Sequence, residues 1–254
     1  MIEKAESISA LLSDYENNQM TAEHVLDWVS QFDGADQGFI LEELLHIFKQ
    51  TYFSKSKCRK LLKAYIEFWT KEFNYATVAS FIGETVFLDL QPAYKSQGEL
   101  LDLLNTILIE DYNSSLEKSG KRIKRFIYLD DILSTGGTIF RNLEKWFNTQ
   151  NQTDIDKTNY QFICSKNLKI NICLLCCHSW GLSNTEYRLM QTIDVKVKTH
   201  MNWYWFYEVQ NNLKDFNQCL NNMLPINEGN PIINSYLNSL NGTANADRSY
   251  RPVS

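Results

Sequence analysis

A chain of 254 residues with 44% hydrophobic side chains can bury one large core, or a core with an appendage. Its formal net charge of -5 argues against a nucleic-acid surface built on bulk positive charge. Apolar runs stay too short for a membrane span and the N-terminus has no signal-like apolar stretch, so no membrane contact and a cytoplasmic location are expected.

Apolar spacings of three and four predict helices over 8–15, 22–32, 39–52 and 56–73. Thr21 marks the start of the second, and Ser56 is expected to cap the fourth. Residues 1–75 therefore read as a helical extension. Its Trp28, Phe32, Phe39, Trp69 and Phe73 suit either a small core or contact with a second protein. His24 and His46 sit in these helices with no carboxylate at ligand spacing, which makes them ordinary core or surface histidines.

The character changes near Ala76, and an α/β domain is expected over 76–210. Residues 85–90 form a short strand, 91–98 a loop and 99–112 a helix. The basic cluster from Lys118 to Arg125 reads as a solvated helix end rather than a phosphate patch. Phe126, Ile127, Tyr128 and Leu129 then form a buried strand. Asp130 and Asp131 follow, then a Ser/Thr/Gly loop, and helix periodicity from 139 to 147. Residues 148–159 are a polar loop and 170–177 the next strand. A helix is expected around 185–192 and a further strand over 194–200. The aromatic run 201–209 either continues that strand or folds as a helix. The tail 211–254 is rich in Asn, Ser and Pro, and its last part, 241–254, is expected to be weakly ordered.

Six cysteines in a chain this long do not read as a disulfide framework. Cys173, Cys176 and Cys177 share an apolar strand, where Cys173 and Cys176 point to opposite faces. That geometry suits buried thiols rather than a shared metal. Strands alternating with helices predict a parallel sheet flanked by helices. Right-handed crossovers would place the loops 91–98 and 130–138 on one edge of it.

The second of those loops carries the chemistry. A helix start leaves about four backbone N–H groups without partners and a partial positive charge, and a phosphate satisfies both. Gly136 and Gly137 let the backbone approach an anion, while Ser134, Thr135 and Thr138 add hydroxyl donors. Asp130 and Asp131 repel a phosphate but accept from a vicinal diol. A sugar a few ångströms from its phosphate suits that order of groups, at the strand ends where open α/β sheets bind ligands.

Residues 126–138 resemble the 5-phosphoribosyl-1-pyrophosphate (PRPP) motif of type I phosphoribosyltransferases at all thirteen positions by residue class. The resemblance implies a phosphoribosyltransferase-like, Rossmann-like sheet. It implies that Asp130 and Asp131 hold the ribose hydroxyls, and that Ser134, Thr135, Gly136, Gly137 and Thr138 wrap the 5-phosphate. The implied ligand is PRPP or a ribose 5-phosphate nucleotide. The implied cofactor is Mg²⁺, held mainly by ligand oxygens, with Asp130 and Asp131 as further candidates. The implied reaction is transfer or cleavage at ribose C1.

Family members place a pyrophosphate loop, often with a lysine, where this chain has 91–98; Lys95 and Ser96, with Gln97, either serve that role or belong to an ordinary surface loop. Of His178, Trp180, His200, Trp203, Trp205 and Tyr207, His178 is best placed to meet a base, against plain packing of an aromatic-rich segment. Family enzymes usually carry a mobile loop between two strands ahead of the motif, whereas only the strand at 85–90 is read here.

The run 25–32 and the loop 91–97 are also similar to bacterial phosphoribosyltransferase-like proteins with a helical extension, found in conflict and anti-phage systems, some beside retron reverse transcriptases. That resemblance would cover most of residues 20–210. It implies either an effector enzyme or a non-catalytic subunit that senses a ribose phosphate or binds a partner. Such a partner would meet the N-terminal helices, and an oligomer is left open.

Overall fold

A computed structural model describes residues 1–15, 19–92 and 95–209; the tail from 211, with the expectation made for 241–254, lies outside them. The chain divides into two compact units, with the boundary after Tyr52.

The first unit holds α1 (Ile2–Leu11), α2 (Ala22–Val29) and α3 (Gly34–Thr51). Thr21 caps α2, its Oγ1 accepting from the His24 N–H at 3.1 Å. Ala5, Ile8, Leu12, Val25, Val29 and Leu41 recur at helical spacing and meet in one buried cluster. Trp28, Phe32 and Phe39 stay outside it and are exposed, with Trp28 and Phe32 edge to face at 5.2 Å.

The second unit begins with α4 (Lys55–Glu72), capped by Ser54 rather than Ser56: the Ser54 Oγ accepts from Lys57 N–H at 3.1 Å. A division at residue 75 would group α4 with the N-terminal helices. The structure groups it with the sheet, because Leu62, Tyr65, Ile66 and Trp69 are buried in the sheet's own core. Then follow α5 (Val78–Gly83), β1 (Thr85–Leu88), α6 (Ser96–Tyr112) and β2 (Arg125–Leu133). The chain continues through α7 (Gly137–Asn148), α8 (Asn159–Lys166), β3 (Ile170–His178), α9 (Ser179–Thr192) and β4 (Met201–Val209). The four strands are parallel and lie in chain order, β1-β2-β3-β4. Among the described residues, no helix is long and apolar enough to cross a membrane.

Several local readings change. The expected strand over 194–200 is a turn followed by a 3-10 helix, Val197–His200, and the aromatic run after it forms β4. Asp194 forces the turn, its Oδ1 accepting from Lys196 N–H at 2.6 Å. The basic cluster is a helix end only at Lys118, which closes a 3-10 helix, Leu116–Lys118; the rest runs into β2. Lys124 pairs with Glu84 at 2.7 Å, and the Arg125 guanidinium lies 4.1 Å over the Phe73 ring. The helix α8 opens on a full capping box, Thr158 with Gln161, a signal present in the sequence but not read from it.

Alternation along β2 and β3 sorts the packing into two layers. Phe126 and Tyr128 of β2, with Ile170, Ile172 and Leu174 of β3, face α7, α8 and α9. Ile127 and Leu129, with Cys173 and Leu175, face α4, α5 and α6. Each crossover steps the same way across the sheet, yet α6 lies on one face and the later helices on the other. The β1–α6–β2 crossover therefore has the opposite hand to the other two, so the three cannot all be right-handed. What holds α6 is apolar burial: Leu104, Ile107 and Leu108 are fully enclosed. Replacing Leu104 with Ala is expected to cost about 2–5 kcal/mol, read as a lower urea midpoint at unchanged slope.

Candidate ligand site

Parallel strands bring the ends of β1, β2 and β3 to one edge of the sheet. The strand β2 runs on through both carboxylates to Leu133, so Asp130 and Asp131 lie within it and alternate between its faces. Asp130 is 3% exposed. Its Oδ2 accepts from Gln91 Nε2 at 2.7 Å and faces the Tyr128 hydroxyl at 3.3 Å. Its Oδ1 accepts from the Asp131 N–H at 3.1 Å. Burial first, and the neighbouring Asp131 charge second, push the Asp130 carboxyl up to about 7. The Tyr128 hydroxyl is raised too, by burial and then by Asp130. Asn142 Nδ2 reaches that hydroxyl from α7 at 3.2 Å.

Asp131 is half-buried, with Oδ1 accepting from Ile132 N–H at 2.7 Å. The two carboxylates are therefore not equivalent. Asp130 faces protein donors, and Asp131 is the more open of the two.

The loop after β2 is only Ser134 to Gly136, since α7 begins at Gly137. Ser134, Thr135 and Thr138 are exposed, with Thr138 already in the first turn of the helix. Gly136 sits at φ +80°, and a Cβ there would lie 2.0 Å from Thr185 Oγ1 and 2.5 Å from the Gly181 carbonyl. No side chain caps α7, whereas Thr21, Ser54, Thr77, Thr158 and His178 cap α2, α4, α5, α8 and α9. The uncapped start leaves first-turn N–H groups for an anion.

The helix α9 braces this loop from behind. Asn184 Nδ2 donates to the Thr135 carbonyl at 2.9 Å, and Thr185 Oγ1 contacts the Gly136 carbonyl at 3.2 Å. Gly181 is required by the contact, since a Cβ there would lie 1.9 Å from the Ser134 carbonyl oxygen. His178 ends β3 and caps α9, its Nδ1 accepting from Gly181 N–H at 3.4 Å. His200 lies at the opposite edge of the sheet, just before β4 begins, and so leaves the set of base-pocket candidates. Trp203 is tied to α9, its indole N–H donating to Glu186 at 2.9 Å.

On the first loop, Lys95 is the N-cap residue of α6 and Ser96 its first helical residue, half-buried. Lys95 N–H donates to the Pro92 carbonyl at 2.9 Å. Like α7, α6 starts without a side-chain cap. Gln97 is wholly buried and engaged with backbone. Its Oε1 accepts from Leu90 and Gln91 N–H at 2.8 and 3.0 Å, and its Nε2 donates to the Leu129 carbonyl at 2.9 Å. It is a strut between β1 and β2, not an anion grip.

Gln91, Asn142, Gly181, Asn184 and Thr185 were not singled out from sequence. A glycine just past a strand end, at 181, was the one usable hint.

A family model described as PRTase-CE matches residues 25–249. Neither the curated proteins nor the solved structures yielded a match. The chain belongs to this phosphoribosyltransferase-like family.

Two outcomes test the geometry. Gly181→Ala must push the loop off α9 and is expected to cost about 1–3 kcal/mol by overpacking, measured by thermal or urea unfolding. For Asp130, a raised carboxyl takes up a proton more readily folded than unfolded. Between the ordinary carboxylate value of about 4 and about 7, stability contributed by this group therefore falls as pH rises. Asp130→Asn is expected to remove that dependence, seen as a wild-type minus variant stability difference that shrinks toward pH 7.

Proposed function

We propose that this member of the PRTase-CE family binds PRPP, or a ribose 5-phosphate nucleotide, with Mg²⁺ and acts at ribose C1. The observation that carries the reading is the uncapped start of α7, reached through Gly136 at φ +80° directly after the carboxylate pair. A 5-phosphate takes the N–H groups of that first turn and the hydroxyls of Ser134, Thr135 and Thr138. Asp131 accepts from the ribose hydroxyls, and Asp130 holds the strand end rigid from within. The pyrophosphate meets the start of α6, with Lys95 and Ser96 as its contacts.

Carboxylate and hydroxyl oxygens are the donor chemistry that Mg²⁺ takes, and Mg²⁺ retains waters and ligand oxygens rather than needing a protein cage. When bound, it neutralises charge on the departing pyrophosphate. The chain's own residues hold the ring and the phosphate in register, which lowers the entropic cost of reaction at C1. Charge-assisted hydrogen bonds contribute about 1.5–3 kcal/mol each, while association costs about 4–15 kcal/mol. One phosphate loop therefore binds only weakly, and the pyrophosphate contacts decide affinity.

A second reading has its own observation. Between β1 and β2 the described residues hold α6 and a 3-10 helix and no strand, so the strand pair that usually carries a mobile loop is missing. His178 is engaged as a cap. Both favour a subunit that senses the ribose phosphate without turnover. Either form suits an effector or accessory subunit of a bacterial anti-phage system such as a retron, with the N-terminal helices meeting a partner protein.

Calorimetry with PRPP and Mg²⁺ is the test. Micromolar binding is expected for the wild type, and Asp131→Asn is expected to weaken it at least tenfold while the fold is kept. No heat with the wild type, or no change in Asp131→Asn, overturns the reading. Pyrophosphate release across a panel of bases and nucleotides separates the enzyme from the sensor.

A further inference from the structure

At the sheet edge opposite the loops after β1 and β2, the last turn of α8 carries an exposed thiol, Cys164, next to His200, which precedes β4. Cys164 Sγ lies 3.7 Å from His200 Nε2. The other ring nitrogen, Nδ1, lies 3.0 Å from the Leu168 carbonyl. A carbonyl only accepts, so this contact places the ring proton on Nδ1 and leaves Nε2 as an acceptor facing the thiol. Tyr160 packs its ring edge-on to His200 at 6.3 Å and shares its surroundings with Cys164 and Asp194. His200 is fixed besides by its place between the Val197–His200 turn and β4.

The remaining described cysteines have different surroundings. Cys173 and Cys177 are buried in β3, where burial holds Cys173 well above its usual range and pushes Cys177 up to about 11. Cys176 is raised by burial and by the Asp131 charge. Cys58 is half-buried, close to the Phe53 carbonyl at 3.7 Å. Only Cys164 among them pairs exposure with a ring nitrogen able to take its proton.

We propose that Cys164, with His200 as its base, is a reactive thiol that takes oxidation by hydroperoxides. The thiol proton passes to His200 Nε2, and the sulfur attacks one peroxide oxygen. The O–O bond breaks, the sulfur becomes a sulfenic acid, and the departing oxygen takes the proton from His200 and leaves as water or an alcohol. The sulfur is oxidised and the peroxide reduced, with no further reactant. This site shares no residue with the proposed ribose-phosphate site, so either stands without the other.

The test is the rate at which hydrogen peroxide converts each cysteine, read by trapping sulfenic acid with a dimedone reagent and mass spectrometry of the peptides. A free thiol is only a few per cent thiolate at neutral pH, so assisted proton removal leaves room for an acceleration of about tenfold. Cys164 in the folded chain is expected to react about that much faster than the same residue in the urea-unfolded chain, and faster than Cys58 and Cys176. His200→Gln is expected to abolish the advantage, with PRPP calorimetry unchanged. A folded rate equal to or below the unfolded one overturns the proposal, and that comparison needs no variant to fold. An unchanged rate in a folded His200→Gln overturns the role of His200.

Discussion

A carboxylate that is almost fully enclosed sets the terms for the ligand edge. Asp130 ends the apolar part of β2, and taking an acid out of water raises its carboxyl and demands donors. Those donors come from three directions: Gln91 after β1, Tyr128 on the same strand, and the backbone of Asp131. Gln91 in turn is held because Gln97 takes its backbone N–H. Asn142 ties the Tyr128 hydroxyl to α7. One buried acid thereby connects the ends of β1 and β2 with the helices that follow them. A network of this kind is stiff when satisfied, and its loss would be felt at several places together.

The loop after β2 has little of its own to hold it. It has three residues, exposed hydroxyls and a left-handed glycine. Rigidity arrives from α9, whose Asn184 and Thr185 take loop carbonyls and whose Gly181 lets the two backbones touch. Its carbonyls are engaged behind, and the first turn of α7 ahead of it carries no side-chain cap. His178 belongs to the same brace, since its cap on α9 fixes where Gly181 lies. A histidine that looks from sequence like a base-pocket residue thus has a structural duty at the strand end.

Much of this was legible and some was not, for physical reasons. The strand, carboxylate pair, Gly-Gly loop and helix over 126–148 could be read because their spacing is local and each residue type answers a backbone need. The parallel α/β class followed from alternation of strands and helices. Gln91 and Gln97 were opaque because a glutamine signals nothing until its two partners, far apart in sequence, are known. The misread strand at 194–200 failed because alternating apolar residues also suit a 3-10 turn, and one aspartate decided between them. Trp69 was grouped with the N-terminal helices because helical periodicity names a buried face but not its partner.

The opposite hand of the β1–α6–β2 crossover bears on the same edge. Neighbouring strands lie about 4.8 Å apart, and β1 and β2 each end in a short loop that leads to an uncapped helix. Had α6 followed the hand of the other two crossovers, it and α7 would rise from the same face of the sheet, side by side. As built, α6 starts from one face and α7 from the other, with Asp131 on the strand between them. Alternation puts Asp131 on the α6 face with Ile127 and Leu129, and Asp130 on the α7 face with Phe126 and Tyr128. The direct β1–α6–β2 link, which removes the strand pair expected of a conventional enzyme, is also what sets the two helix ends across the sheet from each other.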